Sequence, residues 1–159
     1  MVVGGFSEEL KSSVSPARLW KAAVSHVHIM LPKISPQFVA SMEIVQGDGG
    51  VGTIKVITFT HAIKELSVLK IHVDEVDEEK FHYKYSVVEG GNPNYESSSY
   101  KYKFEPSEDG GCLCKVSGEY KTIGDYEPTE QEKVLGKEGF LNTFMAIDAY
   151  LQANPNECA

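Results

Sequence analysis

The chain changes its hydrophobic period twice, and those changes divide it into three parts. Residues 2–10 read as a short first strand. Ser15-Pro16-Ala17-Arg18 then has the form of a helix start, a serine cap followed by proline in the first turn. That helix runs through Trp20 toward Val24. A second helical piece follows over about 26–31, where Pro32 and Pro36 are expected to break it. Two helices joined this closely form a V.

From Phe38 onward the period is two, with strands expected over 39–45, 53–60, 65–73, 81–88, 95–105 and 112–121. Asp77-Glu78-Glu79 marks one turn, and Glu108-Asp109-Gly110-Gly111 is a hairpin signal. Consecutive strands with short connections favour an antiparallel meander. The period then returns to 3.6. Thr129-x-x-Glu132 has the form of a capping box, and a helix runs from there to about Ala153, where Asn154-Pro155 stops it. Leu135, Gly139, Thr143, Ala146 and Tyr150 form one stripe of it, with Phe140, Phe144, Ile147 and Leu151 beside them. The expected fold is α+β: a seven-stranded curved antiparallel sheet wrapped around a long C-terminal helix, with two short helices after the first strand. At 159 residues this is one domain, 1–159.

The later strands carry the functional signal. Tyr83 and Tyr85 share a face with Phe81 and Val87. Tyr100 and Tyr102 alternate with lysines, and Val116, Gly118 and Tyr120 fall on one side of the last strand. These inward faces are rich in tyrosine and poor in aliphatic filler. Several converging hydroxyls are hard to satisfy in a dry core and easy to satisfy around water or a ligand. Gly139 and Ala146 on the helix remove volume opposite them. An aromatic-lined space with a few hydroxyls describes a small-molecule cavity. The competing reading has the tyrosines straddling the rim, bodies in and hydroxyls to water.

Charge and composition narrow the classes. The net charge of −8 disfavours a nucleic-acid partner. No apolar run approaches the ~20 residues that cross a bilayer, and no signal peptide is read at the start, so a cytoplasmic monomer is expected. Cys112 and Cys114 read as small buried side chains and Cys158 as an exposed thiol. His26 and His28 point two ways, and His72 and His82 are placed facing each other across a hairpin. No three or four ligands converge, so neither a metal nor another cofactor is expected.

Gly47-Asp48-Gly49-Gly50-Val51-Gly52 precedes Thr53-Ile54-Lys55. A phosphate-binding loop needs lysine directly after the last glycine and then a helix, and a β-branched strand follows here instead. A rigid strand-strand turn is one reading of the loop; an anion-binding nest of amides is the other.

Residues 43–55, the acidic turn 74–77 leading into 81–91, the segment Asp109-Gly110-Gly111-Cys112, and the terminal Ala149-Tyr150-Leu151-Gln152-Ala153-Asn154 together resemble the plant pathogenesis-related class 10 (Bet v 1) family. The likeness spans essentially the whole chain and extends to monocot members of the asparagus type. It implies the same sheet gripping the same helix. It also implies a cavity for cytokinins, flavonoids, sterols, fatty acids and similar molecules, and a role in defence or development. By position it places Lys55, Tyr83 and Tyr85 in that cavity. Alternation adds Tyr100, Tyr102, Val116, Tyr120, Gly139 and Thr143, with Leu69 and Ile71 from a strand whose inward face is ambiguous.

Two enzymatic alternatives come with the resemblance. Ribonuclease activity in the family is linked to the glycine loop, a lysine, two acids and a tyrosine, which map here to Lys55, Glu96, Asp148 and Tyr150. Glu96 matches only with a gap before it. The norcoclaurine-synthase branch needs a lysine and a carboxylate inside the pocket. Lys115 lies near that place, but alternation turns it outward.

Overall fold

The structure is a computed structural model that describes residues 2–62 and 67–159. Its strands are β1 (Val3–Ser12), β2 (Val39–Gln46), β3 (Ile54–Phe59), β4 (Val68–Asp77), β5 (His82–Gly90), β6 (Tyr95–Pro106) and β7 (Cys112–Thr122). The helices are α1 (Pro16–Trp20), α2 (Val27–Ile34) and α3 (Glu130–Ala153). All seven strands lie in one sheet of order β1-β7-β6-β5-β4-β3-β2, each pair antiparallel. The expected α+β architecture is therefore the observed one. The start placed at residue 65 for β4 lies outside the described residues.

Ser15 caps α1 as expected, its hydroxyl accepting from the Arg18 amide, with Pro16 in the first turn. A π-helical turn, Lys21–Ser25, joins α1 toward α2. Pro32 does not end α2 but sits inside it. The amide it lacks is the one that would bond the His28 carbonyl, four residues back. The helix closes beyond it through Ser35 N–H to the Leu31 carbonyl at 2.9 Å.

The capping box of α3 forms by half. Thr129 accepts from the Glu132 amide at 3.1 Å, but the Glu132 carboxylate turns instead to the Tyr126 hydroxyl at 2.5 Å. The acidic stretch after residue 73 also differs from a simple solvated turn. Residues up to Asp77 belong to β4, and Asp74 is bonded to His72 (2.8 Å) and to the Ser86 hydroxyl.

Helix α3 lies on the concave face through Phe140 and Phe144. Phe140 meets Phe6 and Tyr100, with ring centroids 5.6 and 4.6 Å apart, and Phe144 meets Tyr102 and Phe104 at 5.0 and 6.0 Å. Lys137 pairs with Glu8 at 3.0 Å, and Asp148 takes the Ser12 hydroxyl, tying the helix to β1. Its far end is held by Arg18, whose guanidinium donates to the carbonyls of Leu151, Asn154 and Glu157 at 2.9–3.1 Å. The inward tyrosines of β5 and β6 meet α1 through Trp20 and α3 through Phe140 and Phe144.

Candidate functional site

Lys55 is the second residue of β3, opposite Ile44 on one side and Ile71 on the other. Inward alternation puts a long cation on a concave apolar face, and it is only 2% exposed. Its Nζ donates to the Tyr83 hydroxyl at 3.4 Å and stands 5.4 Å from that ring's centroid. Burial brings the ammonium down to about 8. Tyr83 is raised by burial first, and so are Tyr85 and Tyr102, whose hydroxyls lie 2.9 Å apart. The buried phenols are therefore neutral at ordinary pH and available as donors.

Trp20 packs into this wall, and His28 lies close enough to feel the charge of Lys55. Trp20, at the end of α1, packs edge-on to Tyr83 and Phe104, with centroids 6.4 and 6.2 Å apart. Its Nε1, and Nδ1 of His28 on α2, are buried with no hydrogen-bond partner among the described residues. Burial lowers the His28 imidazole, followed by the charges of Lys55 and His26. Neither residue was among the sequence-derived site positions. The signal for His28 was present in the opposed directions of His26 and His28: His26 is exposed and His28 half-buried.

The remaining expected positions fall into two depths. Ile71 and Val116 are buried in the main apolar cluster with the tyrosines. Leu69, Tyr100, Tyr120 and Thr143 are half-buried. Tyr120 stacks on Tyr95 at 4.7 Å, its hydroxyl directly under Gly4, where a Cβ would lie 2.4 Å away. Thr143 donates back to the Gly139 carbonyl at 2.8 Å, a bond within α3. Gly139 itself is exposed, and a Cβ there would meet nothing within 4 Å. A second apolar group (Val27, Val39, Met42 and Ile57) stands apart from the main one, with half-buried Leu69 packed against both.

The glycine loop is closed on itself. Gly47, Gly49 and Gly52 have φ of +93°, +102° and +89°, conformations that only glycine adopts freely. Gly50 N–H goes to Asp48, Gly49 N–H to the Thr53 hydroxyl, and Gly52 N–H to the Val73 carbonyl, at 2.8–3.0 Å. Thr53 N–H returns to Gly50. With these amides engaged, the geometry is that of a rigid turn that sets the register leading to Lys55.

Comparison with known proteins decides the family. Residues 1–154 match the profile of the pathogenesis-related protein Bet v 1 family. The chain belongs to that family. Major strawberry allergen Fra a 1-2 from Fragaria ananassa is 42% identical over 159 residues, 99% of each chain. Pathogenesis-related protein 1 from Asparagus officinalis is 40% identical over 157 residues, 98% of each. Among solved structures, Ara h 8.0201 superposes with a TM-score of 0.86 at 34% identity, over 96% of this chain and 100% of that one. A norcoclaurine synthase from Thalictrum flavum (TM-score 0.73, 24% identity, 95% of this chain and 87% of that one) shares the fold.

Within this Bet v 1 frame, the residues of the ribonuclease alternative are held in different places. Lys55 bonds Tyr83, Asp148 bonds Ser12 and Gln152, Tyr150 donates to Glu157 at 3.1 Å, and Glu96 is exposed near the start of β6. Lys115 points outward to Glu105 at 3.2 Å. His72 does not face His82: the register sets His72 against Ser86 and His82 against Asp77. Cys112 and Cys114 are buried free thiols with sulfurs 3.8 Å apart, whereas Cys158, expected at the surface, is half-buried against the main cluster.

Proposed function

We propose that this Bet v 1 family protein binds a small apolar or amphipathic metabolite between the concave face of the sheet, α3 and the V of α1 and α2. The observation that carries this reading is a set of buried polar groups without matching partners on an aromatic wall. Lys55 has a single long bond to a phenol, and the Trp20 and His28 nitrogens have none among the described residues. Buried polar groups in native proteins are almost always satisfied, so a molecule with an apolar body and one or two polar atoms completes them. Aromatic rings at 5–6 Å spacing suit planar or ring-fused ligands, and Lys55 with Tyr83 suits an oxygen function at one end.

A phytohormone such as a cytokinin, a flavonoid, a sterol or a fatty acid meets that description, in a cytoplasmic monomer acting in defence or development. Lys55, Asp148 and Tyr150 sit with separate partners, Glu96 is exposed, and the charge of −8 repels a polyanion, so binding rather than RNA cleavage is the better reading.

Titration with an environment-sensitive apolar dye, followed by native mass spectrometry, tests the proposal. Saturable binding at one or two sites, displaced by a metabolite of these classes, is expected. No dye uptake and no displacement would mean the tyrosine faces close on themselves, and the binding reading would be lost.

A further inference from the structure

A lysine in a protein interior normally has a carboxylate beside it, because an unpaired buried ammonium is costly. Lys55 has none bonded to it among the described residues. It comes from β3, and the titratable groups around it come from the elements that face it: Tyr83 from β5, and His28, with His26 behind it, from α2. Among the described residues no anion is bonded to it, and a neutral phenol stands within reach of its nitrogen. That pairing is the equipment of an amine that attacks carbonyl carbon.

We propose that Lys55 captures aldehyde or ketone ligands covalently, as an imine, with Tyr83 as the proton donor beside it. The inference rests on the reading of this face as a ligand site and adds the class of ligand that the site holds most firmly. The neutral Nζ adds to the carbonyl carbon, and the C=O electron pair moves to oxygen, which takes a proton from the Tyr83 hydroxyl. The nitrogen gives up one proton to restore the phenol and a second to the departing hydroxyl. Water leaves, and a C=N bond remains. Amine and carbonyl are consumed, imine and water are formed, and no oxidant or reductant takes part. Burial supports the first step, since a lysine brought down to about 8 is neutral far more often at pH 7 than an exposed one.

The experiment uses the whole chain, cinnamaldehyde as the carbonyl probe and sodium cyanoborohydride to fix any imine as a stable amine. Intact mass spectrometry counts adducts, and peptide mapping locates them. At pH 7, Lys55 is expected to be labelled at least about tenfold faster than the exposed lysines. Lys55→Arg, which keeps the charge, is expected to remove that fast adduct, and Tyr83→Phe to slow it about a hundredfold. Labelling spread evenly over surface lysines, or a fast adduct that survives Lys55→Arg, would overturn the proposal. A dye titration on the same wild-type sample separates the two readings. Dye bound without a Lys55 adduct removes the covalent step and leaves the ligand site standing. Neither dye nor adduct removes both.

Discussion

Lys55 and Tyr83 meet across an intervening strand: Nζ on β3 lies 3.4 Å from the hydroxyl on β5, with β4 between them. The contact therefore exists only because the concave sheet brings alternate strands together over the site. The folded ammonium sits at about 8 against 10.5 for an ordinary lysine. Below pH 8 both folded and unfolded chains hold the proton, and the full cost of burying it is felt. Between 8 and 10.5 the unfolded chain still holds a proton the folded one has shed, so this group's contribution to stability rises with pH. Lys55→Met is expected to stabilise the protein by about 3–4 kcal/mol at pH 7, on a scale of about 1.4 kcal/mol per pKa unit. Denaturant melts of both proteins from pH 7 to 10 check this. A gain that stays flat with pH would contradict the buried-charge account.

The hydroxyls of Tyr85 and Tyr102 satisfy each other at 2.9 Å. Removing one leaves the other buried and unpaired, so Tyr102→Phe should cost about 1–2 kcal/mol, while the double Phe variant recovers much of it. A double-mutant cycle by chemical denaturation reads the coupling. If solvent reaches the pair freely, the coupling will be close to zero.

Three glycines differ in what surrounds them. A Cβ at Gly5 would lie 2.2 Å from the Gly118 carbonyl oxygen, which is backbone and has no room to retreat. At Gly118 it would meet the Phe6 and Tyr100 rings at 2.7 and 2.8 Å, which can tilt. Gly139→Ala meets open space and replaces a helix-interior glycine. Melting temperatures should fall most for Gly5→Ala, fall by the equivalent of about 1–3 kcal/mol for Gly118→Ala, and rise by about 0.5–1 kcal/mol for Gly139→Ala. If Gly139 borders the ligand space, the same alanine will also weaken binding of the bulkiest ligands in dye displacement.

Arg18 is a clamp on the chain end, donating to three carbonyls beyond the middle of α3. Arg18→Met keeps the apolar stem and removes the donors. It should cost about 2–3 kcal/mol, several charge-assisted hydrogen bonds being lost together. Hydrogen exchange should accelerate over residues 151–158 while the amides of β5 and β6 stay protected. Uniform acceleration across the sheet would show that the clamp serves the whole fold instead.

The strands were legible because their side chains alternate, as Tyr83, Tyr85, Tyr100 and Tyr102 do, and alternation is a local property. What decided the site was register, which is not local. The family resemblance set Lys55 and Tyr83 in one cavity, but no local pattern announces that the two side chains touch. Trp20 and His28 were missed for a related reason: a helical tryptophan and a lone histidine read as ordinary packing until the sheet they face is known. Pro32 misled in the opposite sense. Proline ends helices because of the amide it lacks, but here the helix continues past it with the His28 carbonyl released. The capping box showed the same limit, since Glu132 found a better donor in Tyr126 than in its own backbone.

The pairing of β1 with β7 sets Val3 opposite Lys121 and Ser12 opposite Cys112. Strand β1 thus waits for β7, about a hundred residues later in the chain, before it has a neighbour. At about 5–20 residues per second this delay amounts to several seconds, during which an unpaired edge is exposed. Joining segments so far apart along the chain also makes the final closure entropically slow. The concave face is completed in that same late step, so the sheet has no finished wall until β7 has been made and paired.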